Sequence, residues 1–236
     1  MKYKAVIFDF DNTLEDFLSA ESLADVHLAG LVAKEYGLEP RDFLRTFNEL
    51  KMKRVHANSR VEEYSRILWV SETLALMGME GDYDFIDRCV DAYWKVIEKE
   101  ARLYPNAKKV LSALKKKYKL GMITDSDGNV QVKTSRLKKI GVMPFFDAIV
   151  TSDETGFTKP YLENFSLLCK KLKVDPKNCV MVGDSASRDL APAKKLGMVT
   201  IWTKQSLRRD STYLWVDYEI ADIGEVPGIV EGLEKR

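Results

Sequence analysis

Five short runs of apolar, often β-branched residues, at 5–8, 120–123, 148–150, 179–182 and 199–202, leave this chain few folds to choose from. Each is nearly continuous in apolar character and bounded by Gly, Asp or Ser, the pattern of a strand covered on both faces by helices. Helical patterns lie between them, at 106–118, 130–140, 162–172 and 188–196. Strand, helix and strand repeated in this way predict an α/β fold, a doubly wound parallel sheet with right-handed crossovers. A sixth strand over 216–220 and a helix over 227–234 close the chain.

The longest interval without a strand signal separates the first run from the second. It holds four helical patterns, at 18–36, 41–53, 60–77 and 83–100, punctuated by Pro40, Ala57-Asn58-Ser59 and the glycines Gly78 and Gly81. Ser59 and Glu62 have the spacing of a capping box at the head of the third. A structureless connection of this length is uncommon in a compact domain. The interval is therefore predicted to be a separate α-helical subdomain, residues 16–102, inserted into a core made of 1–15 and 103–236 and hinged near 15–17 and 102–105.

Charge and cysteine usage narrow the function. Lys and Arg number 37 against 36 Asp and Glu, a formal charge of +1, so there is no basic footprint for nucleic acid or an anionic membrane. Cys89, Cys169 and Cys179 are far apart, form no C-x-x-C pair and read as reduced core residues. No apolar run approaches a membrane span, and the first residues lead straight into a strand. The expectation is a soluble cytoplasmic protein, monomer or homodimer.

Asp9 and Asp11 crown the end of the first strand. Residues i and i+2 of a strand share a face, so their carboxylates lie roughly 7 Å apart, at the sheet edge where open α/β folds bind ligands. The fourth strand delivers Asp184 and Asp189, from Gly183-Asp184-Ser185-Ala186-Ser187-Arg188-Asp189, to the same edge. Four acids at close range disfavour one another's ionisation unless a cation sits among them. Hard oxygen donors with no His or Cys nearby point to Mg²⁺. After the second strand, Thr124-Asp125-Ser126-Asp127 offers a hydroxyl and a run of backbone N–H groups to an anion. Lys159, in Gly156-Phe157-Thr158-Lys159-Pro160, follows the third strand on that edge.

In chain order, Asp9-x-Asp11-x-Thr13, Thr124, Lys159 and Gly183-Asp184-x-x-x-x-Asp189 resemble the four motifs of the haloacid dehalogenase superfamily, and the helical insertion resembles its type-one cap. The resemblance implies a Rossmann-like core and a Mg²⁺-dependent phosphatase. Asp9 is then the nucleophile that forms an aspartyl-phosphate, and Asp11 the general acid and base. Mg²⁺ is held by Asp9, the Asp11 carbonyl and Asp184, with Asp189 beside it. Thr124, Asp125 and Lys159 hold the phosphoryl oxygens. Members that cleave carbon–halogen bonds usually lack the second Asp, so Asp11 implies phosphate ester hydrolysis. Two positions depart from the common pattern: Asp125 stands where Asn is common, and Tyr161 where Asp is common.

A phosphomutase of the same superfamily also needs both Asp9 and Asp11. A receiver-type signalling domain shares Asp, Thr, Lys and Mg²⁺, but the long insertion and the distal Asp184 argue against it. Leaving-group discrimination is expected from the inserted helices. There the link His56-Ala57-Asn58-Ser59-Arg60 gathers an imidazole, an amide and a guanidinium, making His56 and Arg60 candidate specificity residues for a small phosphorylated metabolite.

Overall fold

The computed structural model describes residues 2–56, 60–206 and 214–235. Strands β1 (Ala5–Phe8), β2 (Lys119–Thr124), β3 (Ala148–Thr151), β4 (Cys179–Gly183), β5 (Val199–Thr203) and β6 (Tyr218–Ile220) form one sheet in the order β3-β2-β1-β4-β5-β6. Every neighbouring pair is parallel. The β1 strand is central, with Ala5 opposite Lys119 of β2 on one side and Cys179 of β4 on the other.

Between β1 and β2 the chain forms helices α1 (Phe17–Tyr36), α2 (Pro40–His56), α3 (Arg66–Leu76) and α4 (Tyr83–Glu100). They share an apolar cluster of their own, built around Phe43, Phe47, Trp69, Tyr93, Trp94 and Ile97. In α4, Ile86, Cys89, Val90, Tyr93, Trp94 and Ile97 recur at helical spacing and are buried. Each such large apolar side chain contributes about 1.5–3 kcal/mol relative to exposure. The Asp16 carboxylate caps α1 by accepting from the Ser19 N–H at 3.2 Å, and Gly37, at φ +66°, ends it in the left-handed region.

The remaining helices are α5 (Ala107–Lys115), α6 (Val130–Ile140), α7 (Leu162–Leu172), α8 (Ala191–Lys195) and α9 (Val226–Leu233). Alternation along the strands explains why they lie on two faces. Val6, Phe8, Val180 and Val182 pack with residues of α5 and α9, while Ala5, Ile7, Cys179 and Met181 pack with residues of α7 and α8. Four of the five near-continuous apolar runs are thus strands buried on both sides, as expected, while β3, at the sheet edge, is half-buried.

Two expected helices differ. The third inserted pattern, 60–77, breaks into a 3₁₀ turn (Val61–Tyr64) and α3, with Ser65 extended between them at ψ 122°. Side chains take the carbonyls that a continuous helix would use: Trp69 Nε1 donates to the Glu63 carbonyl at 2.7 Å and Arg66 to that of Tyr64 at 3.1 Å. The pattern at 188–196 begins as a π-turn (Ala186–Leu190) before α8, its start held by Ser185 Oγ accepting from the Arg188 N–H at 3.3 Å. The capping box expected at Ser59 lies outside the described residues. Among the described residues, no helix is long and apolar enough to cross a membrane.

Candidate active site

The site forms where β1, β2 and β4 end side by side. Asp9 leaves β1 with its N–H donating to the Val182 carbonyl of β4 at 3.0 Å, and Thr13 Oγ1 donates to Asp9 Oδ2 at 3.0 Å. The chain turns sharply here because Asn12 adopts φ +64°, a conformation that Asn tolerates better than most residues. Beside it, Lys159 Nζ donates to Asp9 Oδ1 at 2.5 Å and to Asp189 Oδ1 at 2.8 Å. Gly183 lets Asp189 approach the strand end, since a Cβ there would lie 2.6 Å from the Asp189 side chain.

Oxygens of Asp9, Asp184 and Asp189 come within 4.8 Å of one another, all three residues buried. Three carboxylates around a single ammonium are donors suited to a hard cation. Burial pushes the Asp9 carboxyl well above its ordinary range, and the Asp189, Asp184 and Asp11 charges add to this while Lys159 opposes it. Burial works against the Lys159 charge, but Asp189 and Asp9 outweigh it and raise the ammonium above its usual value.

Asp11 is placed differently from the other three acids. It lines the same cavity, yet Arg136 and Lys133 of α6 donate to its two oxygens, and Asp127 pairs with Lys133 at 2.9 Å. Both cations are buried. Burial opposes the Asp127 charge, but Lys133, Arg136 and Arg66 outweigh it and bring the carboxyl down to about 2. Lys133 and Arg136 were missed as site residues, although the sequence holds a signal. They fall at i and i+3 of the stripe Lys133, Arg136, Leu137, Ile140, so the apolar face of α6 carries them inward.

Asp125 joins the loop after β2 to the Lys159 segment and to Arg188. Its Oδ1 accepts from the Lys159 N–H at 3.0 Å and its Oδ2 from Arg188 Nη2 at 2.7 Å. Thr124 is buried at the end of β2, its hydroxyl 3.4 Å from the Asp125 carbonyl, and is not among the described residues that line the cavity.

That cavity, of about 500 Å³, lies between the strand ends and α1, α2 and α3. Among the described residues its helical side is neutral in formal charge, because the cations there pair with neighbouring acids. Lys51 meets Asp25 at 2.5 Å and Glu21 at 3.5 Å, and Arg66 meets Glu21 at 3.1 Å. Ser22 and Asn48 add uncharged polar groups, and Phe17, Leu18, Met52 and Trp69 add apolar surface. Arg60 is not brought here. It is exposed, pairs with Phe157 through a backbone bridge, and sets its guanidinium 5.7 Å from the Phe157 ring centre, which itself stacks on Tyr161. The His56 side chain lies outside the described residues.

Residues 3–197 match the haloacid dehalogenase-like hydrolase family. The chain is 36% identical over 159 residues to the glyceraldehyde 3-phosphate phosphatase of Methanocaldococcus jannaschii, a match covering 66% of this chain and 69% of that protein. It is 29% identical to the enzyme of the same name from Pyrococcus furiosus, over 100% of this chain and 95% of the relative. Among solved structures, a HAD phosphatase from Thermococcus onnurineus superposes with a TM-score of 0.75 at 25% identity, covering 97% of this chain and 98% of that one. The chain belongs to the haloacid dehalogenase-like hydrolase family.

Proposed function

We propose that this protein is a Mg²⁺-dependent phosphatase that hydrolyses a small organic phosphate monoester through an aspartyl-phosphate on Asp9. The observation that carries the reading is the buried cluster of Asp9, Asp184 and Asp189 around Lys159, beside a second aspartate, Asp11, in one cavity. Asp9, oriented by Thr13, attacks phosphorus in line with the departing oxygen. Once released from Lys133 or Arg136, which both donate to it here, Asp11 gives a proton to that oxygen and takes one from the water that later cleaves the acyl phosphate. Such help is typically worth about 10²–10⁴ in rate. Lys159 and the N–H groups of the loop after β2 bind the phosphoryl oxygens, a contribution realised most strongly as charge shifts onto them. Asp9, Asp184, Asp189 and the Asp11 carbonyl are the groups that would hold Mg²⁺, which when bound neutralises phosphoryl charge facing the nucleophile.

The inserted helices act as a cap, residues 16–102, over a core of 1–15 and 103–236. With Lys51 and Arg66 already paired, the described residues of the helical wall have no spare formal charge for a second phosphate or a carboxylate. It suits an uncharged, hydroxyl- or carbonyl-bearing leaving group, in keeping with the glyceraldehyde 3-phosphate named for the two archaeal relatives. Three buried free cysteines fit a reducing, cytoplasmic setting. Phosphate release from a panel of metabolites, with and without Mg²⁺, tests the reading. Turnover of uncharged-tail monoesters above bisphosphates and phosphocarboxylates is expected; no metal-dependent release from any monoester would overturn it.

A further inference from the structure

An acid in the phosphate loop is an electrostatic liability, and the structure shows what offsets it. Asp125 is only 8% exposed and is one residue from Thr124 at the end of β2. Uncompensated, its carboxylate would face an incoming phosphate dianion in a water-poor site, where like charges repel most strongly. Asn, which the family commonly has here, carries no such charge.

We propose that Arg188 is the positioning residue that makes Asp125 compatible with phosphate binding, and that it ties the phosphate loop to the inserted helices. The guanidinium spans the seam between the two parts of the molecule. Nη2 donates to Asp125 Oδ2 at 2.7 Å, while Nη1 donates to the Val55 carbonyl of α2 at 3.1 Å. Tyr64 donates to that same carbonyl at 3.3 Å, and its ring centre lies 5.6 Å from the guanidinium. Asp125 in turn fixes the start of the Lys159 segment through the Lys159 N–H. One planar fork therefore neutralises Asp125, leaves its other oxygen free to orient Lys159, and anchors α2 over the loop. A lysine could supply the charge, but from a single nitrogen and without the rigid planar fork that sets two separate nitrogens toward Asp125 and Val55.

This rests on the phosphatase reading, and a double-mutant cycle separates the two. Affinity of the Mg²⁺-loaded protein for inorganic phosphate is measured by calorimetry for wild type, Arg188→Met, Asp125→Asn and the double variant. Arg188→Met is expected to weaken binding by about 10- to 100-fold, the usual consequence of stranding a buried charge. Asp125→Asn alone leaves the Arg188 charge unopposed beside the anion and should tighten binding about several-fold, and the double variant should recover most of the loss caused by Arg188→Met. Arg188→Lys should recover less than the double variant. If Arg188→Met fails to fold, a folded double variant that binds phosphate still supports the pairing. A double variant as weak as Arg188→Met, or Arg188→Met within twofold of wild type, overturns it. Wild type that binds no phosphate at all overturns the phosphatase reading, and the inference with it.

Discussion

Arg136 Nε lies 3.3 Å from Glu15 Oε2, and Glu15 has no exposed surface. The carboxylate sits where the chain leaves the core for the inserted helices, its backbone bridged to Leu103 on the returning segment. Neither Glu15 oxygen finds a hydrogen-bond partner among the described residues, so the ion pair is its main compensation. Burial pushes the Glu15 carboxyl up to about 8, with Arg136 acting against that rise.

Above about pH 8, where Glu15 is ionised, Arg136→Met is therefore expected to destabilise the protein by about 3–5 kcal/mol, because one buried partner is left without the other. Asp11 and Asp127 keep Lys133, so the penalty concentrates on Glu15. Adding Glu15→Gln should return part of the stability. Urea midpoints at fixed slope measure both; a double variant less stable than Arg136→Met would show that Glu15 is not the stranded group.

Asp9→Asn should abolish phosphate release while leaving the fold intact. Lys159 keeps Asp189 as a partner, and one carboxylate is removed from a crowded cluster, so the melting temperature should hold or rise. Residual turnover above a few per cent in protein free of contaminating phosphatase would rule out Asp9 as the nucleophile.

Chelation should remove activity but not structure. The buried carboxylates sit at the rim of a complete sheet with its own core, unlike a structural zinc site that supplies the folding energy. Far-ultraviolet circular dichroism unchanged by excess EDTA, with phosphate release lost and restored by Mg²⁺, is the expected pair of results.

The pH dependence of stability should carry a component from the inserted helices. Burial, then the Glu21 charge, raises the Asp25 carboxyl to about 6 from 3.8, against the pull of Lys51. A carboxyl raised in the folded state binds protons there that the unfolded chain has released. Its contribution is fully present below pH 3.8 and is lost as pH rises through about 6, up to about 3 kcal/mol. Asp25→Asn should flatten the melting temperature between pH 4 and 7; an unchanged slope would assign that region to other groups.

The strands and the placement of Asp9, Lys159, Asp184 and Asp189 at one sheet edge were legible because strand period and chain order decide them. The 130–140 and 162–172 helices match α6 and α7 end to end, α7 through its apolar stripe Phe165, Leu168, Cys169 and Leu172, and α6 through the Asn129 cap at its start and Gly141 at its end. The break before α3 was not legible, since it depends on Trp69 and Arg66 reaching back to carbonyls. Arg188 read as an ordinary helix residue because its partners, Asp125 and Val55, are distant in sequence. Arg60 read as a cavity residue from its chemistry alone, whereas its position is set by Phe157.

The paired stem at the base of the inserted helices has a wider consequence. The Asp16 N–H donates to the Arg102 carbonyl at 2.9 Å and the Tyr104 N–H to that of Leu14 at 2.9 Å, so the outgoing and returning chains are clasped before any helix begins. To the sheet, everything beyond that clasp is equivalent to a short loop. A different excursion grafted onto the same clasp would leave the β1–β2 register untouched. On the proposed reading of the inserted helices, the fold is then a fixed handle that could carry a different head, the bond-breaking end staying constant while the fitting that selects its work is replaced.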